Sequence, residues 1–299
     1  MLEFSDTFIF KTMLKSSSLL GLSAGMLGVF LSYQRRSIEV NAIASGSFVG
    51  ILVFHLLAGV GVAFSPYVFG QIDEYVFSFA GSIAGALVII TLLNILYKAD
   101  VLHPHIIQSL MTAVMLGVGI TLITYIRQIS GAMDSGIDIY LFGETASLTS
   151  EEFIFLRVSS LVIVLVMLLY FTRIKIVIFN TDLAKTTHFH TMFYIHLINI
   201  MVIWLVAFTV KLMGVFLAVT VFLMPAVTAR LWSNRLIYIF LLAGFFGGLS
   251  GAIGSIISSN LGTVTLGIAM TLTLGVIFIL SLLIAPKGII AKRISRRRV

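Results

Sequence analysis

No cysteine occurs in the sequence, so neither a disulfide nor a thiolate metal site can form within it. Charge is scarce too. Asp, Glu, Lys and Arg make up 10% of 299 residues, too little to cover a water-soluble domain whose hydrophobic content is 59%. There is no G-x-x-x-x-G-K-[ST] loop, which excludes nucleotide binding of that kind, and neither H-E-x-x-H nor G-x-S-x-G occurs. No carboxylate pair lies inside an apolar run, so a proton-coupled carrier would have little to work with. No internal repeat and no low-complexity segment stands out. Nothing in the chain reads as catalytic, and an enzyme is not expected.

What is abundant is apolar sequence in long blocks. A helix needs roughly 20 apolar residues to cross a bilayer. Nine stretches qualify, at 16–33, 42–64, 76–97, 106–126, 153–172, 192–210, 212–229, 236–257 and 263–286. The fold class expected is therefore all-α: a polytopic helix bundle of about nine transmembrane helices, forming one membrane domain over residues 1–299. Eight or ten helices are the alternatives, because Lys211-Leu212-Met213-Gly214 leaves almost no loop. That junction reads either as a tight hairpin or as a broken re-entrant pair. The remainder has no room for an ATPase or a ligand-capturing domain, so such modules are expected on other chains. The apolar run at 19–31 and Ala42-Ile43-Ala44 together look like a signal peptide. Arg35 and Arg36 lie between them and another span follows, so a retained first helix is expected.

The net charge of +7 sits in short loops and in the tail rather than on a nucleic-acid-binding face. Arg35 and Arg36 follow the first span, Lys98 the third, Arg173, Lys175 and Lys185 the fifth, and Arg230 and Arg235 the seventh. The tail adds Lys287, Lys292, Arg293, Arg296, Arg297 and Arg298. The loop at 127–152 has Arg127 against Asp134, Asp138, Glu144, Glu151 and Glu152, and 65–75 and 258–262 have no basic residue. Lys211 stands alone at the sixth–seventh junction; rich and poor loops alternate almost without exception, which places the C-terminus in the cytoplasm and the N-terminus outside. The basic tail suits an anionic lipid surface.

Small-xxx-small pairs recur at Gly21/Gly25, Gly46/Gly50, Gly81/Gly85 and Gly247/Gly251, and predict close helix packing. Pro225 lies within the seventh span and frees the carbonyl of Val221, for which Thr220 or Thr228 is a candidate donor. The resulting kink reads equally as a transport device or as a structural bend. In 179–190, Thr181 or Asp182 makes a good N-cap ahead of Leu183-Ala184-Lys185, on the side the charges call cytoplasmic. Thr149-Ser150-Glu151-Glu152 fits a capping box that opens the fifth span. His188 and His190 cannot share a helix face, and with His103, His105 and His196 they complete no tetrahedral set, so no firm metal site is assigned. His55 is an ionisable group at membrane depth and a functional candidate, or else a hydrogen-bonded neutral imidazole. Asn94 and Asn199 read as interhelical glue.

Five segments together resemble the permease subunits of bacterial ABC importers for zinc, manganese or iron, the ABC-3 family. They are the glycine-rich run from Leu20 to Leu31 with Arg35-Arg36; Leu141-Phe142-Gly143; Phe179 to Lys185, against a family pattern F-D-P-E-x-A-[KR]; Lys211-Leu212-Met213-Gly214 with Pro225-Ala226-Val227-Thr228-Ala229-Arg230; and Ala285-Pro286-Lys287-Gly288. The resemblance implies alternating access in a bacterial inner membrane. A cytoplasmic ATPase would bind ATP and Mg, an external metal-binding protein would dock on 65–75 and 127–152, and a second permease copy or paralogue would complete the pathway. It implies that Asp182, Leu183, Ala184 and Lys185 contact the ATPase, and that Asn41, Ser45, Ser47 and His55 face the pathway. No cofactor is implied in this chain. The family's D-A-L-S-H-A-x-x-P-G becomes Asn41-Ala42-Ile43-Ala44-Ser45-Gly46-Ser47-Phe48-Val49-Gly50, which exchanges Asp and His for neutral Asn41 and Ser45. The late D-x-P-x-G becomes Ser258-Ser259-Asn260-Leu261-Gly262, and the coupling proline becomes Thr181. Neutral oxygens bind a transition metal less well than carboxylate plus imidazole. Weak binding suited to passage, ligands supplied by an unlike partner permease, and a changed cargo are the three explanations. A carrier or channel that works without an ATPase is the alternative of another class, and a non-transporting membrane scaffold a third.

Overall fold

The computed structural model describes residues 8–34, 39–64, 74–99, 102–130, 143, 150–179, 191–261 and 264–288. Among them are nine helices long and apolar enough to cross a membrane, and no strand. They are α1 (Phe8–Tyr33), α2 (Glu39–Phe64), α3 (Glu74–Ala99), α4 (Pro104–Ser130), α5 (Ser150–Phe179), α6 (Thr191–Met213), α7 (Val215–Trp232), α8 (Leu236–Leu261) and α9 (Leu266–Ile284). Two of them outrun the apolar blocks furthest. α1 begins eight residues before position 16 and carries the exposed Lys11 and Lys15, while α5 continues past 172 through the exposed Arg173 and Lys175. Helical hydrogen bonding does not stop at the lipid boundary, and long cationic side chains can keep their heads in water.

The chain divides into two compact units. The first comprises Met1–Ser37, Glu144–Leu205 and Val219–Val299. Its axis is the pairing of α1 with α8. Gly21 abuts Gly247, Gly25 abuts Ala243 and Gly251 abuts Ser17, so the two helices run antiparallel. A Cβ at Gly21 would overlap the carbonyl of Gly247, and one at Gly247 the carbonyl of Gly21. The Ser17 hydroxyl donates to the Gly251 carbonyl at 3.0 Å across this seam, and Ser16 donates to the Phe153 carbonyl of α5 at 2.6 Å. Next to it Phe30, Phe171 and Phe240 stack with ring centroids 4.9–6.0 Å apart, over a core of Val29, Ala226, Ala229, Ile239 and Ala243.

The C-terminal end of α7 is closed by a cation. The Lys287 ammonium donates to the carbonyls of Arg230 (3.1 Å) and Ser233 (2.8 Å) and to Oδ1 of Asn234. These carbonyls have no helical donor left, and positive charge is favourable there. Arg230 in turn donates to the Ser32 hydroxyl at 2.6 Å, and its guanidinium lies 4.2 Å from the centre of the Tyr33 ring. Lys287→Met keeps the stem and removes the three bonds. It should cost on the order of 2 kcal/mol, seen as a lower unfolding midpoint in detergent, with Lys292→Met unchanged.

The second unit comprises Ile38–Gly143 and Val206–Ala218. Gly46 and Gly50 of α2 meet Gly81 and Gly85 of α3 backbone to backbone. The four glycine pairs of the sequence thus become two seams, each within one unit. Phe48 fills the space beside Gly119 of α4, and Phe79 stacks on Phe208 with centroids 4.7 Å apart.

The junction anticipated at 211–214 is a break of one residue. α6 ends at Met213 and α7 starts at Val215. Gly214 has φ +78°, and its N–H donates to the Val210 carbonyl at 2.8 Å. This is a left-handed C-cap, a conformation that costs glycine least. Gly143, at φ +76°, is buried against it, and a Cβ there would meet the Leu212 carbonyl oxygen and the Met213 backbone at 2.5–2.6 Å.

Candidate transport site and family membership

Asn41 and Ser45 lie one turn apart on α2 and so share a face. Asn41 is half-buried and Ser45 fully buried. The Ser45 hydroxyl is already engaged, donating to the Ala42 carbonyl at 2.9 Å. His55 is half-buried, and its Nδ1 lies 3.3 Å from the Ile51 carbonyl, four residues back on its own helix. At about 100° per residue, His55 falls within about 40° of Asn41, whereas Ser47 is about 160° from Ser45. The four residues expected to face the pathway therefore do not share one side of α2. Ser47 lies toward the Gly46/Gly50 side that packs on α3, and its buried hydroxyl has no hydrogen-bond partner. Ser82 on α3 is buried and unpartnered in the same way.

Pro225 is buried inside α7, which stays helical on both sides of it. A Cβ at Gly25 would stand 3.2 Å from Pro225 Cβ, so the ring packs directly against α1. The Thr228 hydroxyl, one of two candidate donors to Val221, donates instead to Met224 at 2.7 Å. A threonine reaches the carbonyl four residues back, and Val221 is seven back. Asp182, Leu183, Ala184 and Lys185 lie outside the described residues, as do Arg35, Arg36, His188, His190 and the basic tail beyond Gly288. Among the described residues no three His, Asp or Glu side chains come together. His103, His105 and His196 are each exposed.

The reading of apolar blocks passed over two buried polar side chains. Glu39, the first residue of α2, is only 4% exposed, and Gln108 of α4 is 1% exposed. Gln108 Nε2 donates to the Tyr97 hydroxyl of α3 at 2.8 Å, while its Oε1 is buried without a partner. Glu39 precedes the apolar block at 42–64 and follows Arg35 and Arg36 in sequence, so a search for polar groups inside the spans does not reach it. The signal for its burial was spacing: Glu39, Ile43, Gly46 and Gly50 fall on one stripe.

Among the described residues, nine spanning-type helices and backbone-tight glycine seams define a multi-pass membrane protein. The chain belongs to the ABC 3 transport family, whose model matches residues 5–285. It is 29% identical over 287 residues to the manganese transport system membrane protein MntC of Bacillus subtilis, covering 96% of this chain and 63% of that one. It thus spans less than two thirds of that relative's length. It is 25% identical to the zinc transport system membrane protein TroC of Treponema pallidum, over 99% of this chain and 95% of that protein. Its fold matches a chain of PsaBC from Streptococcus pneumoniae, solved in complex with Fab. The TM-score is 0.76 at 22% identity, over 95% of this chain and 94% of that one.

Proposed function

We propose that the chain is the membrane permease of an ATP-driven importer for a divalent transition metal ion, manganese or zinc, in a bacterial inner membrane. The observation that carries this reading is the family match across residues 5–285 of a chain with nine spanning-type helices. Relatives named for manganese and zinc transport support the cargo class. The N-terminus is outside and the C-terminus cytoplasmic, as loop charge favours. Two permeases, alike or paralogous, enclose the pathway. An external metal-binding protein delivers the ion, and a cytoplasmic ATPase binds ATP and Mg and grips 179–190. The work of the motor enters as differential contact with the inward- and outward-facing states. Asn41 and Ser45 offer neutral oxygens, which hold a transition metal loosely and release it readily.

The test is uptake of radioactive Mn²⁺ and Zn²⁺ into proteoliposomes. Uptake is expected with the ATPase, the binding protein and ATP present, and not with this chain alone. Unaided, ion-linked uptake would establish the secondary-carrier alternative. ATP-dependent activity that ignores both metals would establish a changed cargo, the third explanation of Asn41 and Ser45.

A further inference from the structure

The segment 180–190 joins the end of α5 at Phe179 to the start of α6 at Thr191. Whatever displaces that segment acts first on these two helix ends. Within the first unit, α5 and α6 meet in a different way from the glycine seams. Neither helix contains a glycine, so the backbone-tight approach of the seams is not available to them. Long side chains bridge them instead. Phe155 packs on Trp204 with ring centroids 6.3 Å apart, and Tyr170 on Tyr194 with centroids 6.0 Å apart, so the two helices run antiparallel. Flat rings in contact let one helix slide a little on the other, as in the shear motions of packed helices.

A polar contact near the segment opposes that sliding. Arg173 of α5 donates from Nη1 to the Tyr194 hydroxyl of α6 at 3.0 Å. Arg173 precedes Phe179 by six residues and Tyr194 follows Thr191 by three, roughly 9 Å and 5 Å of helix from the segment. The Tyr194 side chain is itself held in place. It is 5% exposed, and its ring meets Tyr170 and stands edge-on to Phe193 at 5.4 Å. A charge-assisted hydrogen bond is directional, so it sets the register of the two helices where the ring contacts leave it loose. We propose that Arg173 and Tyr194 are positioning residues that tie the two stems of 180–190, so that a push on the segment moves the ends of α5 and α6 together. The proposal rests on the importer reading and deepens it by naming where the work of the ATPase enters the helices.

The test is metal uptake per ATP hydrolysed, in proteoliposomes containing the whole assembly. Tyr194→Phe removes the hydroxyl and keeps the ring contacts. It should lower the ratio about fivefold, the worth of one net hydrogen bond, with hydrolysis and monodisperse elution unchanged. Arg173→Met should do the same, and Arg173→Lys, which keeps a cationic donor, should restore most of the ratio. Combining Arg173→Met with Tyr194→Phe should be no worse than either alone, because both break one contact. Lys175→Met, which removes a charge from the same end of α5, should leave the ratio unchanged. A second readout needs no ATPase. The chain has no cysteine, so nitroxides on the exposed positions Leu168→Cys and Met192→Cys report the distance between the stems in the chain alone, in nanodiscs. Tyr194→Phe should broaden that distance distribution. An unchanged ratio, losses that add in the double variant, or an unchanged distribution overturns the tie. If the unmodified assembly shows no ATP-dependent uptake, the importer reading fails, and the distance distribution still decides whether the stems are tied.

Discussion

Gly85→Leu is expected to leave no folded, monodisperse protein. Even a bare Cβ at Gly85 would overlap the Gly46 carbonyl and stand 2.8–2.9 Å from Cα and N of Gly50. Every one of these atoms is backbone, so no rotamer can yield, and α2 and α3 would have to separate. Overpacking in a rigid interface costs about 1–3 kcal/mol even when helices can shift. In lipid the loss is compounded, because close van der Waals contact is what holds helices together there. Gly117→Leu and Gly275→Leu are the controls, since a Cβ at either position meets nothing within 4 Å. Gel filtration in detergent separates the outcomes. A monodisperse Gly85→Leu protein with unchanged thermal stability would show that the seam is not required.

Replacing Asp182, Leu183, Ala184 and Lys185 together by glycine is expected to lower metal uptake by about a hundredfold while the ATPase still hydrolyses ATP. Glycine disfavours a helix by up to about 1 kcal/mol per residue relative to good helix formers, so four replacements remove roughly 3 kcal/mol. The short capped helix that the sequence predicts there would have little else to hold it, and two orders of magnitude in its population follow. The substitution alters no span, so chain abundance in the membrane should be unchanged. Uptake per ATP hydrolysed, in proteoliposomes containing the whole assembly, is the measurement. Unchanged uptake would move the coupling contact elsewhere.

The spans were legible because bilayer thickness imposes a length that apolar blocks report directly. The glycine pairs were legible as packing surfaces, but their partners were not. Gly21 and Gly247 are 226 positions apart, and nothing local in either helix names the other. The Asn41–Ser45 pair was readable from one-turn spacing. That Ser47 turns away from it follows from the same geometry, once the helix is known to run unbroken from Glu39.

The sequence by itself determined the solvent, the helical class and the number of spans, with the 211–214 junction as the open point, because hydropathy and backbone hydrogen-bond satisfaction act locally along the chain. Tertiary structure decided that this junction is one left-handed glycine braced by Gly143. It also decided that Lys287 serves the end of α7 and that Glu39 is buried. Each of these depends on which helices approach one another. That choice is made by shape complementarity summed over a whole interface, which no short stretch of sequence contains.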